Sequence, residues 1–463
     1  MLKIDEPTQG ATGVGSRNAG IRNRSLIVEV SRTTRIVNAK SRPVHEIRRQ
    51  LRMRNPKYDE AVRQGRWTGN MDETIDFSRL QPDGPCIIPR GFTRQALDIL
   101  RQHGERPVVD DQRLVLPEID IRFRGELRPY QERVHAAILR RDQGVANMPT
   151  GAGKTTTACS IIAARRQPTL VVVHSLELAH QWRDRLRTFL GVDAGLIGGG
   201  CMDVQPITVG VINSVRIQIG TLAGRFGHLV VDECHRAGAA MFNEVINAIP
   251  GKYRLGLSAT PFRRDGLDKV IFFLLGDLAA SVEPQELENN GSILRPQIVQ
   301  HPTEWRYQYM EDYARMITAM TESQVRNQQI VCDAHTNLTS GTSLVVSDRV
   351  GHCRRLADKI RARGVECAVL TGADRPEHRK MIVELVQAGA VPVLLATTAL
   401  VSEGFDCAGL DQLYLATPIK FRGRLIQVVG RILRPAPGKQ AVVHDYVDVH
   451  VPILKNQSNK RWK

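Results

Sequence analysis

Three short stretches of this chain carry the residue types that chemistry on phosphates requires. The first is MPTGAGKTT, Met148 to Thr156. Gly151 and Gly153 let the backbone wrap closely, so that its N–H groups can point at phosphate oxygens. Lys154 brings a cation to the β- and γ-phosphates, and the Thr155 hydroxyl can ligate Mg2+. The following TTACSIIAARR has a helical pattern, and a helix amino terminus there adds its dipole to the cradle. The strict glycine pattern is broken at one place, Met148.

The second stretch is HLVVDECHR, an apolar run ending in two acids. Open α/β sheets place their ligand chemistry at such strand ends. Asp232 would hold Mg2+, mostly through water, because that ion keeps part of its hydration shell. Glu233 would orient or deprotonate an attacking water. The third stretch is QVVGRILRP, Gln427 to Pro435. If it is helical throughout, Gln427, Arg431 and Arg434 share one face, with Gly430 leaving room beside them. Two arginines and an amide so aligned form a clamp for an anion.

The elements around these stretches form an alternating series from Leu127 onward. LRPYQERVHAAIL reads as a helix, TLVVVHS as a buried strand, LELAHQWRDRLRTFL as a helix, and PITVGVI, HLVVDE and RLGLSAT as strands. Continuous Val/Leu/Ile runs between helices mark a parallel sheet covered on both faces. EPQELENNGSILRP and the polar, helix-like TEWRYQYMEDYARM interrupt the rhythm. It resumes with TSLVVSD, HCRRLADKIRARG, VPVLLATT, QLYLAT and AVVHDYVD. Upstream, SLIVEV reads as a strand, VHEIRRQLRM as a helix or strand, and GFTRQALDILRQHG as an amphipathic helix ended by Gly104. The expected division is a loose arm over 1–24, a small α+β module over 25–120, an α/β lobe over 121–290, a connector over 291–324 and a second α/β lobe over 325–463.

A chain of 463 residues is too long for one hydrophobic core. With 42% hydrophobic and 24% charged residues it has the composition of a globular protein. Its net charge of +16 would attract and steer polyanions, nucleic acid foremost. The eight cysteines are scattered with no CxxC pair, which argues against a zinc site and a disulfide framework. No run approaches the length of a membrane span, and MLKIDEPTQG lacks an apolar secretory core. A cytoplasmic protein without membrane contact is expected, nucleoid-associated, or in the host cytoplasm if viral.

Together, MPTGAGKTT, DECH at 232–235, SAT at 258–260 and QVVGRILR at 427–434 resemble superfamily 2 helicases and translocases of the DEAD/DEAH-like type. The likeness continues in the family's order. LRPYQ resembles its adenine-reading element, VVHSLELAHQW motif Ia, GVINSV the next strand-contacting motif, SLVVSDRVGH motif IV and ATTALVSEGFD motif V. The resemblance covers about residues 125–450 and implies two tandem RecA-like domains of the P-loop NTPase type, with ATP and Mg2+ as cofactors. It implies that ATP is held by Gln131, Thr150, Gly151, Ala152, Gly153, Lys154, Thr155 and Thr156, with Gly404 and Asp406 from the other lobe. Arg431 and Arg434 become the inserted cations on the γ-phosphoryl group, and Gln427 positions water or phosphate. It further places a nucleic-acid strand near Ser175, Gln181, Asn213 and Ser214 on the first lobe. On the second lobe it places the strand near Ser347, Arg349, Thr371, Gly372 and Thr398. Ser258 and Thr260 would relay between the two sites.

Arg263–Arg264–Asp265 is similar to an arginine-acid-rich element of XPB-like DNA helicases, and NPKYDEAVRQGRW and IPRGFTRQALDIL are similar to what precedes the motor in XPB-like and phage UvsW-like helicases. That likeness makes Lys57, Arg66, Trp67 and Arg90 candidates for DNA contact. The leading expectation is an ATP-dependent DNA helicase or translocase on duplex, forked or branched DNA, serving repair, recombination or replication. An RNA-dependent ATPase, a motor subunit of a restriction or defence complex, and a non-catalytic nucleic-acid-binding protein are the alternatives. Protein partners are not indicated.

Overall fold

The computed structural model describes residues 25–462 except 83, 237–239, 260–267, 340, 403–406, 408 and 421. Two large sheets carry the molecule. The first has eight strands in the spatial order Cys201–Met202, Gly195–Gly198, Ile207–Val211, Thr169–Val173, His228–Val231, Tyr253–Ser258, Gln143–Asn147 and Leu278–Ser281. All neighbours are parallel except the outermost pair at Cys201. Thr169–Val173 (TLVVV) is buried at every position because helices cover both faces of the sheet.

The second sheet has six parallel strands, ordered Gln297–Pro302, Val442–Val447, Leu410–Leu415, Thr342–Ser347, Val393–Thr397 and Cys367–Leu370. Its first strand lies inside the stretch 291–324 expected to be a connector. Gln297–Pro302 pairs with Val442–Val447 along its whole length, so the second sheet begins ahead of 325. An edge strand is half solvated and carries polar residues, so QIVQHP lacks the apolar run that betrays a central strand. TEWRYQYMEDYARM also differs from its helical reading. Its helix starts only at Tyr313, where Asp312 accepts from Arg315 N–H at 2.9 Å. Before it, Trp305, Tyr307 and Tyr309 alternate along a segment without regular structure and, with Tyr313 and Ile453, pack against Met316, Ile317, Met320, Val451 and Leu454.

The small amino-terminal module is a five-stranded sheet with the helices Ser41–Gln50 and Thr93–Gln102 on it. VHEIRRQLRM is thus mostly helix, with Arg52–Arg54 as a short strand after it. The module's core takes in Phe273 of the first lobe, whose ring lies 5.4 Å from Phe77 and 5.6 Å from Phe92.

Arg90 is where the structure overturns a candidate DNA contact. It is fully buried, and its Nη1 donates to the carbonyls of Ser31 (3.2 Å), Pro250 (3.4 Å) and Gly251 (2.9 Å). Its Nε donates to Gln143 Oε1 at 3.2 Å. A guanidinium can tie several carbonyls from two domains at once because its donors are fixed in a fork. Lys57, Arg66 and Trp67 are exposed, the indole by 78%. Replacing Arg90 with alanine leaves the Ser31 and Gly251 carbonyls without this donor, while Pro250 O keeps the Leu114 N–H at 3.0 Å, and should cost on the order of 3 kcal/mol. The urea midpoint of the full chain is the measurement; an unchanged midpoint would show that the tie carries no energy.

Candidate functional site

The carboxyl ends of the first lobe's strands converge on one cleft. Strand Gln143–Asn147 runs into the loop 148–153 and helix Lys154–Arg165. Gly151 and Gly153 adopt φ of +87° and +74°, the left-handed region that spares glycine a steric penalty. Met148, the departure from the glycine pattern, is buried beneath the loop. Its N–H donates to Ser258 O at 2.8 Å, and its carbonyl accepts from Lys154 Nζ at 3.4 Å. Gln131 braces the loop from the preceding helix. Its Nε2 donates to Ala152 O at 3.0 Å, while its Oε1 accepts from Arg128 N–H at 2.9 Å.

Strand His228–Val231 delivers the acids. Asp232 Oδ1 accepts from the Glu233 N–H at 2.9 Å, and Oδ2 from Trp182 Nε1 at 2.8 Å. Glu233 has φ +48°, an uncommon conformation for a residue with a side chain. Its Oε2 lies 3.2 Å from His235 Nδ1, which in turn lies 3.1 Å from Ser258 Oγ. The two carboxyls are driven apart in acidity. For Glu233, burial alone would raise the value, but the Lys154 charge and the His235 hydrogen bond pull it down to about 2. Asp232 is pushed above the usual range by burial and by the neighbouring Glu233 carboxylate.

The cleft measures about 730 Å³ and is walled from both lobes. From the first lobe come Gln131, Thr150, Gly151, Gly153, Lys154, Thr155, Thr156, Gln181 and Asp232. From the second come Arg431 and Arg434. The arginines arrive by a different route from the one expected. The helix holding Gln427 ends at Val429, so the three side chains do not share a helical face. Gly430 still bonds back to Ile426 O (2.9 Å), but Arg431 and Ile432 bond to carbonyls only three residues back. Pro435 disfavours helical backbone at Arg434 as well, so the helix does not resume before it. Gln427 remains half-buried on the helix behind them.

The seam is close-packed. A Cβ on Gly430 would stand 2.7 Å from Thr150 Cβ, so only glycine lets this turn lie on the loop 148–153. Leu433 packs against the cores of both lobes, and its carbonyl accepts from Leu294 N–H at 2.8 Å. Farther along, Arg379 Nη1 donates to Glu177 Oε2 at 3.4 Å across the lobes.

The residues expected to touch a strand separate into two groups. Asn213, Arg349 and Gly372 are exposed and Ser214 is half-buried. Ser175, Ser347 and Thr371 are turned to local duties. Ser175 caps helix Leu176–Leu190 by accepting from Leu178 N–H at 3.3 Å. Ser347 is fully buried, 2.9 Å from His352 Nδ1. Thr371 Oγ1 donates to Asp374 Oδ2 at 2.8 Å. Thr398 is fully buried, and its Oγ1 has no hydrogen-bond partner among the described residues. Short hydroxyl side chains at strand–helix junctions find backbone and side-chain partners close by. Gln181 lines the cleft itself. Thr260, Gly404, Asp406 and Arg263–Arg264–Asp265 lie outside the described residues. Sequence reasoning missed Trp182 and Arg185, which line the cleft from the same helix as Gln181. The signal available for the former was that a buried indole N–H needs an acceptor.

Comparison with known proteins agrees with this architecture. Residues 124–263 match the family described as "Type III restriction enzyme, res subunit", and residues 326–436 match "Helicase conserved C-terminal domain". The DNA 3'-5' translocase XPB2 of Sulfurisphaera tokodaii is 32% identical over 192 residues, 41% of this chain and 44% of that protein. The DNA 3'-5' helicase XPB of Kineococcus radiotolerans is 26% identical over 388 residues, 77% of this chain and 66% of that one. The chain thus spans less than two thirds of either relative. The solved structure of S. cerevisiae Dbp5 bound to RNA and ADP BeF3 shares the fold, with a TM-score of 0.52 at 16% identity over 72% of this chain and 88% of that one. Among the described residues, no helix is long and apolar enough to cross a membrane.

Proposed function

This chain belongs to the superfamily 2 helicases, nucleic-acid-dependent ATPases that use ATP, and on that premise we propose that it couples ATP hydrolysis to movement on duplex, forked or branched DNA. The observation that carries the proposal is a single cleft lined by Lys154, Thr155 and Asp232 of one lobe and by Arg431 and Arg434 of the other. In this reading the loop 148–153 and Lys154 hold the β- and γ-phosphates. Glu233, kept ionised by its surroundings, takes a proton from the attacking water or orients it. Arg434 and Arg431 meet the charge that spreads over the γ-phosphoryl oxygens in the transition state. Thr155 and Asp232 offer the hard oxygen donors that suit Mg2+, which would neutralise phosphate charge when bound. Because the arginines and the phosphate loop belong to different lobes, hydrolysis is tied to closure of the seam.

The choice of DNA is supported by the names of the two curated relatives and by the net charge of +16. Asn213, Arg349 and the Gly372 backbone are the exposed groups assigned to strand phosphates, which such groups bind without reading sequence. Ser258, 3.1 Å from His235, is assigned the relay between track and cleft. The pathway proposed is repair, recombination or replication. ATP turnover measured with single-stranded, duplex, forked and four-way DNA, with RNA alongside, tests the proposal. DNA should stimulate more than RNA. Greater stimulation by RNA would overturn the substrate assignment while leaving the motor intact, and the RNA-bound neighbour in the fold comparison makes that arm necessary.

A further inference from the structure

One polar contact in the cleft has no part in the roles just assigned. Trp182 stands on helix Leu176–Leu190, its side chain almost wholly buried at 2% exposure, yet it lines the cleft. Its Nε1 donates to Asp232 Oδ2 at 2.8 Å, while Oδ1 of the same carboxylate accepts from Glu233 N–H at 2.9 Å. Both oxygens are therefore gripped by donors built into the fold. We propose that Trp182 is a positioning residue for Asp232, aiming its carboxylate at the cation that accompanies the nucleotide; the inference rests on the ATPase reading above.

The terminal torsion of an aspartate is broad, so a carboxylate at a strand end ordinarily samples many orientations. An indole locked in a core cannot follow it, so the hydrogen bond selects one plane. The cost of a buried N–H without a partner works in the same direction, because rotating Asp232 away would orphan the indole. A phenylalanine would keep an aromatic ring in most of that space and make no such demand. Groups that orient a metal's ligands commonly contribute about 10–100-fold to metal affinity or activity. The helix is itself held in place: Ser175 caps its start, and Glu177 in its first turn meets Arg379 of the second lobe. Trp182 is therefore presented from a fixed platform.

The test uses the full chain and ADP. Isothermal titration of ADP at graded Mg2+ gives the Mg2+ concentration that half-restores tight binding. For Trp182→Phe that concentration should rise about tenfold or more, with metal-free ADP binding unchanged. A shift within about twofold of wild type overturns the proposal, since an aromatic ring without the N–H donor would then suffice. Should Trp182→Phe not fold, the unsubstituted chain labelled with 5-fluorotryptophan provides the second readout. Among its four indole resonances, the one remaining after Trp67, Trp305 and Trp462 are assigned by single substitutions belongs to Trp182. It should move when Mg2+ is added to the ADP-bound protein and stay in place with ADP alone. A resonance indifferent to Mg2+ overturns the proposal. Wild type that binds no ADP with Mg2+ would instead remove the ATPase reading beneath it, so the two failures are distinct.

Discussion

Glu233→Gln is expected to stop ATP turnover while ATP still binds. The carboxylate is ionised at any working pH, since Lys154 and His235 hold it down to about 2. The amide keeps the shape and can still orient a water, but it accepts no proton. Loss of a general base typically lowers the rate by about 10²–10⁴-fold. Phosphate release at saturating ATP, with equilibrium binding of ATP alongside, separates the step lost from the step kept. Lys154→Ala should be equally silent in turnover but should also weaken nucleotide binding, because its cation is the one drawn to the β- and γ-phosphates. Undiminished hydrolysis in Glu233→Gln would remove that residue as the base.

The second large effect is expected at Arg434. Alanine there should cut turnover by about 10³–10⁵-fold, the range for a cation that meets phosphoryl charge only in the transition state. ADP affinity should change little, so steady-state rate and ADP binding measured together identify the loss. Lysine should rescue poorly, because an ammonium does not reproduce the planar fork of the guanidinium. Arg431 should behave differently. Its Nε donates to the Val401 carbonyl at 3.1 Å, so it also secures the short helix Thr398–Ser402. A turnover loss in Arg434→Ala no larger than that of a distant exposed arginine would place the transition-state contact elsewhere.

The parts of this site legible in the sequence were those encoded over short range. GAGKTT and DECH carry their geometry in consecutive residues, and the strand that delivers DECH is a nearly continuous apolar run, whereas QGVAN, which delivers GAGKTT, carries no such signal. The arginine segment was legible in composition but not in shape, because helical phase was assumed across Gly430 when Pro435 was already limiting Arg434. Ser347 and Thr371 show a different limit. Whether a hydroxyl faces a ligand or a neighbour depends on partners such as His352 and Asp374, and no spacing rule discloses their nearness. Gln297–Pro302 escaped because an edge strand shares the polar texture of a loop. Trp182 is the clearest case: its partner Asp232 lies 50 positions away, and only the folded sheet brings helix and strand end together.

The buried Arg90 has a bearing on how a minimal version of this protein could be made. Excising the amino-terminal module would uncover Phe273 and strand the carbonyls of Pro250 and Gly251 on the remaining surface. A shortened chain of that kind would be prone to aggregate, and its inactivity would report a damaged fold before it reported a missing grip on nucleic acid.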